Sequence, residues 1–142
     1  MNIRIFALAA LIAVGSTGGV SASTCDDGYK MGEGLEQKAS AHWKRYLYDY
    51  NEFKKNVQKK VGEQMLCKSM GNVLGTLRQV VSSYQQAWHM YESGLDSGSL
   101  FYCHDVDKRN YLRSRANKAK SIFKKEGEKL RRGEAHHKKH CR

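Results

Sequence analysis

A chain of 142 residues with 25 Lys and Arg against 14 Asp and Glu carries a net charge of +11, and it contains four cysteines and no proline. That length fits one domain with a modest core, hiding roughly two-thirds of the surface its unfolded chain exposes. None of the cysteines sits in a CxxC pair, which argues against a zinc knuckle or a redox active site, and an even number of spaced cysteines points to two disulfides.

The first segment reads as a leader. Arg4 supplies a positive start, Ile5 to Val14 is an unbroken apolar run, and Val20-Ser21-Ala22 places small residues where signal peptidase requires them. Ten apolar residues fall short of the about 20 that a membrane-crossing helix needs. Thr24 before Cys25 departs from a lipoprotein signal. The expectation is a signal peptide over 1–22 and a single secreted helical domain over 23–142, without membrane attachment. An oxidising export route agrees with paired cysteines.

Three amphipathic stripes follow. Leu35, Ala39, Tyr46, Tyr50, Phe53, Val57 and Val61, with Trp43 beside them, recur at spacings of three and four, the period of a helix buried on one face. A second stripe runs Leu66, Met70, Leu74, Leu77, Val81, Tyr84, Trp88 and Tyr91, and ends at the Gly-Ser segment "ESGLDSGS". The aromatic residues of both stripes read as core. A third stripe starts at Asp105 as N-cap and continues through Leu112, Ala116, Ala119, Phe123 and Leu130 until Gly133. A break at Gly62 gives three helices of similar length, whereas Gly71 and Gly75 are points where the second could kink or split. The predicted fold is all-α, a compact bundle of three long helices or four helical segments.

Up-down-up topology selects among the disulfide pairings. Cys25 and Cys103 flank helix ends at the bottom of such a bundle, and Cys67 and Cys141 lie at the top. Cysteines pair only when their Cα atoms come within about 7 Å, so Cys25–Cys103 with Cys67–Cys141 is the pairing that joins like ends.

Catalytic signatures are scarce. Ser82 and Ser83 precede His89 by about two turns, but no glycine-rich turn or oxyanion-hole motif accompanies them, and no carboxylate pair, phosphate loop or HExxH occurs. The chain reads as non-enzymatic, with no cofactor. "HHKKH" places His136, His137 and His140 together as a weak zinc or copper candidate, although Lys138 and Lys139 would repel a cation. From His104 onward there are fourteen Lys and Arg against five Asp and Glu, which concentrates +9 of the total charge in the last third. A partner-binding face follows from Arg113, Lys118, Lys120, Lys124, Lys125, Lys129, Arg131 and Arg132, able to attach to heparin, another polyanion or an acidic protein surface. No groove-reading module for specific nucleic-acid recognition is present.

The mature start "CDDGYKMGEGLEQKASAHWKRYLYDYNEF", four spaced cysteines, a proline-free helical body and the ending "HHKKHCR" together resemble the anophensin/albicin family of anopheline mosquito salivary proteins. The resemblance extends over the mature chain and rests on overall layout. It implies secretion in saliva and a non-enzymatic, blood-feeding role. Albicin-like members inhibit the alternative-pathway convertase of complement, which is the first expectation. Anophensin is associated with inhibition of contact activation, the kallikrein–kinin system, through factor XII and kininogen. A generic heparin-binding basic protein is the third reading.

Overall fold

The computed structural model describes residues 24–141, and the expected leader over 1–22 lies outside them. The described chain forms three helices, α1 (Thr24–Gln58), α2 (Glu63–Ser93) and α3 (Val106–His140). At 1.5 Å per residue, the 35 residues of α1 or α3 extend about 52 Å. α2 runs antiparallel between α1 and α3 and packs on both. α1 and α3 are consequently parallel, and their side chains meet in register where Asp26 pairs with Lys108, Tyr29 with Tyr111 and Glu36 with Arg115.

The break falls where Gly62 marks it. Val61 N–H donates to the Asn56 carbonyl (3.2 Å) and Lys60 N–H to that of Val57 (3.1 Å), closing α1 in a Schellman pattern. Lys60 occupies the left-handed position of this cap, with φ 52°, where glycine is the usual residue. Gly62 then caps α2 in extended backbone. The fourth helical segment does not form, because α2 runs unbroken through Gly71 and Gly75. Each glycine costs a helix about 1 kcal/mol relative to alanine. Val73, Leu74, Leu77, Val80 and Val81 are buried around them, and their burial outweighs that cost.

α3 starts as its sequence indicates, with the Asp105 carboxylate accepting from Lys108 N–H at 2.8 Å. Its end differs from expectation. Gly133 does not stop the helix, which continues two turns to His140. A Cβ at 133 would sit 2.6 Å from Leu74 Cδ2, so α2 and α3 pack closely at this glycine. The supposed basic tail is the last part of a helix.

Both disulfides join the expected partners, Cys25–Cys103 with Cα atoms 5.0 Å apart and Cys67–Cys141 at 5.4 Å. Cys25 lies in the first turn of α1, where a position ahead of the helix was expected. Cys103 precedes α3 by three residues, where the sequence placed it at the helix start. The core has two centres. Near the Cys25–Cys103 end, Ala87, Tyr91, Cys103, Leu112, Ala116 and Ala119 cluster with Leu35, Tyr84 and Trp88 beside them. Toward the other end Leu74, Leu77, Val81 and Leu130 form a second cluster, backed by Tyr46, Met70 and Phe123. Tyr91 is fully buried and its ring lies so close to Gly32 that a Cβ there would overlap it. Over the Tyr91 ring sits the Arg115 guanidinium, 5.8 Å from the centroid, and Arg115 also pairs with Glu36. One aromatic assignment changes: Tyr50, read as core, is 40% exposed.

Two outcomes follow from this architecture. Lys60→Gly relieves the left-handed strain and raises the midpoint of urea unfolding, by about 1 kcal/mol of stability. The double variant Cys67→Ser/Cys141→Ser reopens a loop of sequence separation 74 and costs about 4 kcal/mol in the chain-entropy treatment. Hydrogen exchange should show the protection lost first in the last turns of α3, with α1 and α2 less affected.

Candidate functional site

Along α3, successive residues advance by about 100°, and this spacing divides the predicted cationic set into two rows. Arg113, Lys120, Lys124 and Arg131 follow one edge of the helix, and Lys118, Lys125, Lys129 and Arg132 the other. Asn117, Ser121, Glu128 and Ala135 form a nearly uncharged ridge between them. The single basic face expected from composition is thus two separate rows. Lys120 leans onto α2, its ammonium 4.7 Å from the Trp88 ring centroid and 3.9 Å from Glu92. Lys129 is bound by Glu126 at 2.9 Å and Arg132 by Glu128 at 3.2 Å. Among the described residues Arg113, Lys118, Lys124, Lys125 and Arg131 form no ion pair, which leaves these cations available to a partner.

Four cations escaped the sequence reading. Lys54, Lys55, Lys59 and Lys60 belong to the end of α1 and the turn after it. The parallel register of α1 and α3 carries them to the same end of the bundle as Lys138 and Lys139. The run "KKNVQKK" was legible as a charge cluster, but only the folded topology joins it to residues some eighty positions later. At the opposite end Asp26, Asp27, Asp96, Asp105 and Asp107 gather. Acidic first turns and basic last turns both complement the macrodipoles of α1 and α3, and they make the bundle electrically polar along its length. Lys108 beside Asp26 holds that carboxyl below the usual carboxylate range.

The histidine cluster is divided. His136 and His140, one turn apart, have ring centroids 4.4 Å apart, whereas His137 turns inward, with Nε2 3.1 Å from the Cys67 carbonyl. Continuation of the helix through Gly133 causes this separation, since a flexible tail could have gathered all three rings. Among the described residues no group of three or more His, Cys, Asp or Glu side chains is arranged to hold a metal. Ser82 accepts from Gln86 at 3.1 Å, Ser83 is buried, and His89 stacks on Trp88 at 4.5 Å. Ser82 and His89 are thus held in separate interactions.

Between α1 and α3, beyond the Glu36–Arg115 pair, lies a cleft of about 260 Å³ lined by Ser40, Trp43, Tyr84, Ile122, Lys125 and Glu126. Trp43 and Tyr46 lie 5.3 Å apart, and Tyr46 and Tyr50 stack at 6.0 Å, forming an aromatic ridge on α1. Burial pushes the Tyr46 and Tyr84 hydroxyls above their ordinary value. Sequence periodicity identified these aromatics but assigned all of them to the core.

No family model, no curated protein and no solved structure matches this chain. The geometry by itself defines a disulfide-clamped three-helix protein whose accessible chemistry is cationic and aromatic. Among the described residues no helix is long and apolar enough to cross a membrane.

Burial of Tyr91 raises its hydroxyl from about 10 to about 12. In that interval the unfolded chain releases a proton that the folded one keeps, so stability falls as pH rises above about 10. Thermal melts from about pH 8 to pH 11 should show this decline, with a shallower slope in Tyr91→Phe.

Proposed function

We propose that this protein is a secreted salivary inhibitor that binds the alternative-pathway convertase of complement and blocks it without catalysis. The reading rests on the resemblance to the anophensin/albicin proteins. The observation that carries it is the placing of two cationic rows along one rigid helix, with Lys118, Lys124, Lys125 and Arg131 exposed and outside any ion pair among the described residues. Such a surface recognises an acidic protein face by charge complementarity and accelerates encounter through steering. A helix clamped at both ends also loses little conformational freedom on binding, which favours affinity. The leader and the two disulfides fit a protein that works outside the cell.

A second reading, inhibition of contact activation through factor XII and kininogen, is favoured by the cationic end of the bundle. There Lys54, Lys55, Lys59, Lys60, Lys138 and Lys139 would compete for the polyanionic surfaces on which that system assembles.

Lysis of rabbit erythrocytes in magnesium–EGTA serum, where the alternative pathway runs alone, separates the two. The first reading expects protection from lysis. Lys118→Glu/Lys125→Glu or Lys124→Glu/Arg131→Glu should each weaken it by about tenfold or more, the loss expected when an interfacial charge is reversed. Unprotected erythrocytes combined with prolonged kaolin-triggered clotting would favour contact activation. Late elution from heparin with neither activity would mark a generic polyanion binder.

A further inference from the structure

The α1–α3 groove differs from the rest of the interface. Near the Cys25–Cys103 end the two helices are bridged by Asp26–Lys108, Tyr29–Tyr111 and Glu36–Arg115. Past Trp43 the apolar ridge of α1 continues, but its outer members are uncovered: Leu47 is 44% exposed, Tyr50 40% and Val57 49%. The ridge from Trp43 to Val57 is about 21 Å long at 1.5 Å per residue, enough for roughly four turns of a helix laid beside it.

Three further observations characterise what would cover it. The walls are cationic, with Lys54 5.0 Å from the Tyr50 ring centroid on α1 and Lys125 and Lys129 on α3. The floor holds Glu126, whose side chain is only 5% exposed. One of its oxygens takes the Lys129 ammonium at 2.9 Å, while Oε2 has no hydrogen-bond partner among the described residues. A buried carboxylate oxygen without a donor is costly, and a ligand that brings a donor removes that cost. Finally, a second copy of this chain would bring another +11 to a groove already walled by lysines, so self-association is electrostatically opposed.

We propose that the α1–α3 groove between Trp43 and Val57 is a docking site for an acidic amphipathic helix of the target protein. Its apolar face would lie on Trp43, Leu47 and Tyr50. Its acidic flanks would meet Lys54, Lys125 and Lys129, and a hydroxyl or amide donor would reach Glu126 Oε2. This is the helix-in-groove mode, in which apolar residues at i, i+3, i+4 and i+7 supply the anchors. The inference deepens the inhibitory role proposed above by adding an apolar groove, beside the Lys118–Lys125–Lys129 row, to the charged contact along α3, and it rests on that reading for the identity of the target.

The groove can be tested without the target. The probe is a sixteen-residue helical peptide with leucine at i, i+3, i+4 and i+7 and glutamate on its flanks, titrated into the purified protein and followed by NMR. The expected result is movement of the Trp43 indole resonance and of the amides of Leu47, Tyr50, Lys125 and Lys129. Leu47→Glu and Tyr50→Glu change exposed positions and should preserve the far-UV circular dichroism while weakening the peptide about tenfold. Glu126→Gln places a donor or an acceptor at the floor and should alter the affinity with the same fold intact.

Absence of binding, equal binding of a lysine-flanked peptide, or shifts confined to the Arg113–Lys124–Arg131 row would overturn the proposal. So would sedimentation showing a dimer that Tyr50→Glu disperses, which would make a second copy the occupant. Perturbation of the groove by a heparin oligosaccharide with no response to the peptide would assign it to polyanions. Failure of the erythrocyte assay with a positive titration would reject the complement target and retain the groove, and protection from lysis with a negative titration would do the reverse.

Discussion

The attachment of α3 at both of its ends is the constraint on which the rest depends. Thirteen Lys and Arg stand against four Asp and Glu along this helix, and its buried hydrophobic side chains are only Leu112, Ala116, Ala119 and Leu130. Two leucines and two alanines are a thin contribution for 35 residues, because burial stabilises in proportion to apolar area. Mutual repulsion among the lysines works against the compact state as well. Each disulfide has one partner flanking this helix, Cys103 before it and Cys141 after it. Cross-linking restricts the unfolded chain more than the folded one, and so it adds to the thin packing of a strongly polar helix. A strongly cationic surface can therefore be presented on rigid backbone.

Rigidity and openness are unevenly distributed along the bundle. Toward the Cys25–Cys103 end, Tyr91 meets the backbone of Gly32, and the Arg115 guanidinium lies between Tyr91 and Tyr111, each ring centroid 5.8 Å away. Glu36 completes that knot by pairing with Arg115, and the pair is largely withdrawn from solvent. Toward the opposite end α2 and α3 approach closely at Gly133, and the Cys67 carbonyl is held by His137. Among the described residues α1 has no equivalent bridge to α3 there. The apolar stripe of α1, packed inward at Leu35 and Ala39, therefore emerges in part as a surface at Tyr50 and Val57. Sequence periodicity cannot register this change, since the spacing of Trp43, Tyr46 and Tyr50 is that of a buried face throughout.

What the amino-acid order determined by itself was local or combinatorial. Apolar residues at spacings of three and four specified three helices, Gly62 and the Gly-Ser segment divided them, and Asp105 began the third. Once up-down-up order was assumed, the distance limit on a disulfide left one pairing. The tertiary structure decided what depends on neighbours distant in sequence. Position 133 suits glycine because Leu74 occupies the space a side chain would need, and the continuation of α3 through it turns His137 away from His136 and His140. Lys54 to Lys60 join the cationic end because α1 and α3 run parallel. Tyr50 is left 40% exposed because, among the described residues, no helix packs over that part of α1. A helix propensity or a charge count belongs to a segment, whereas a close approach, a shared end and an uncovered face exist only between segments.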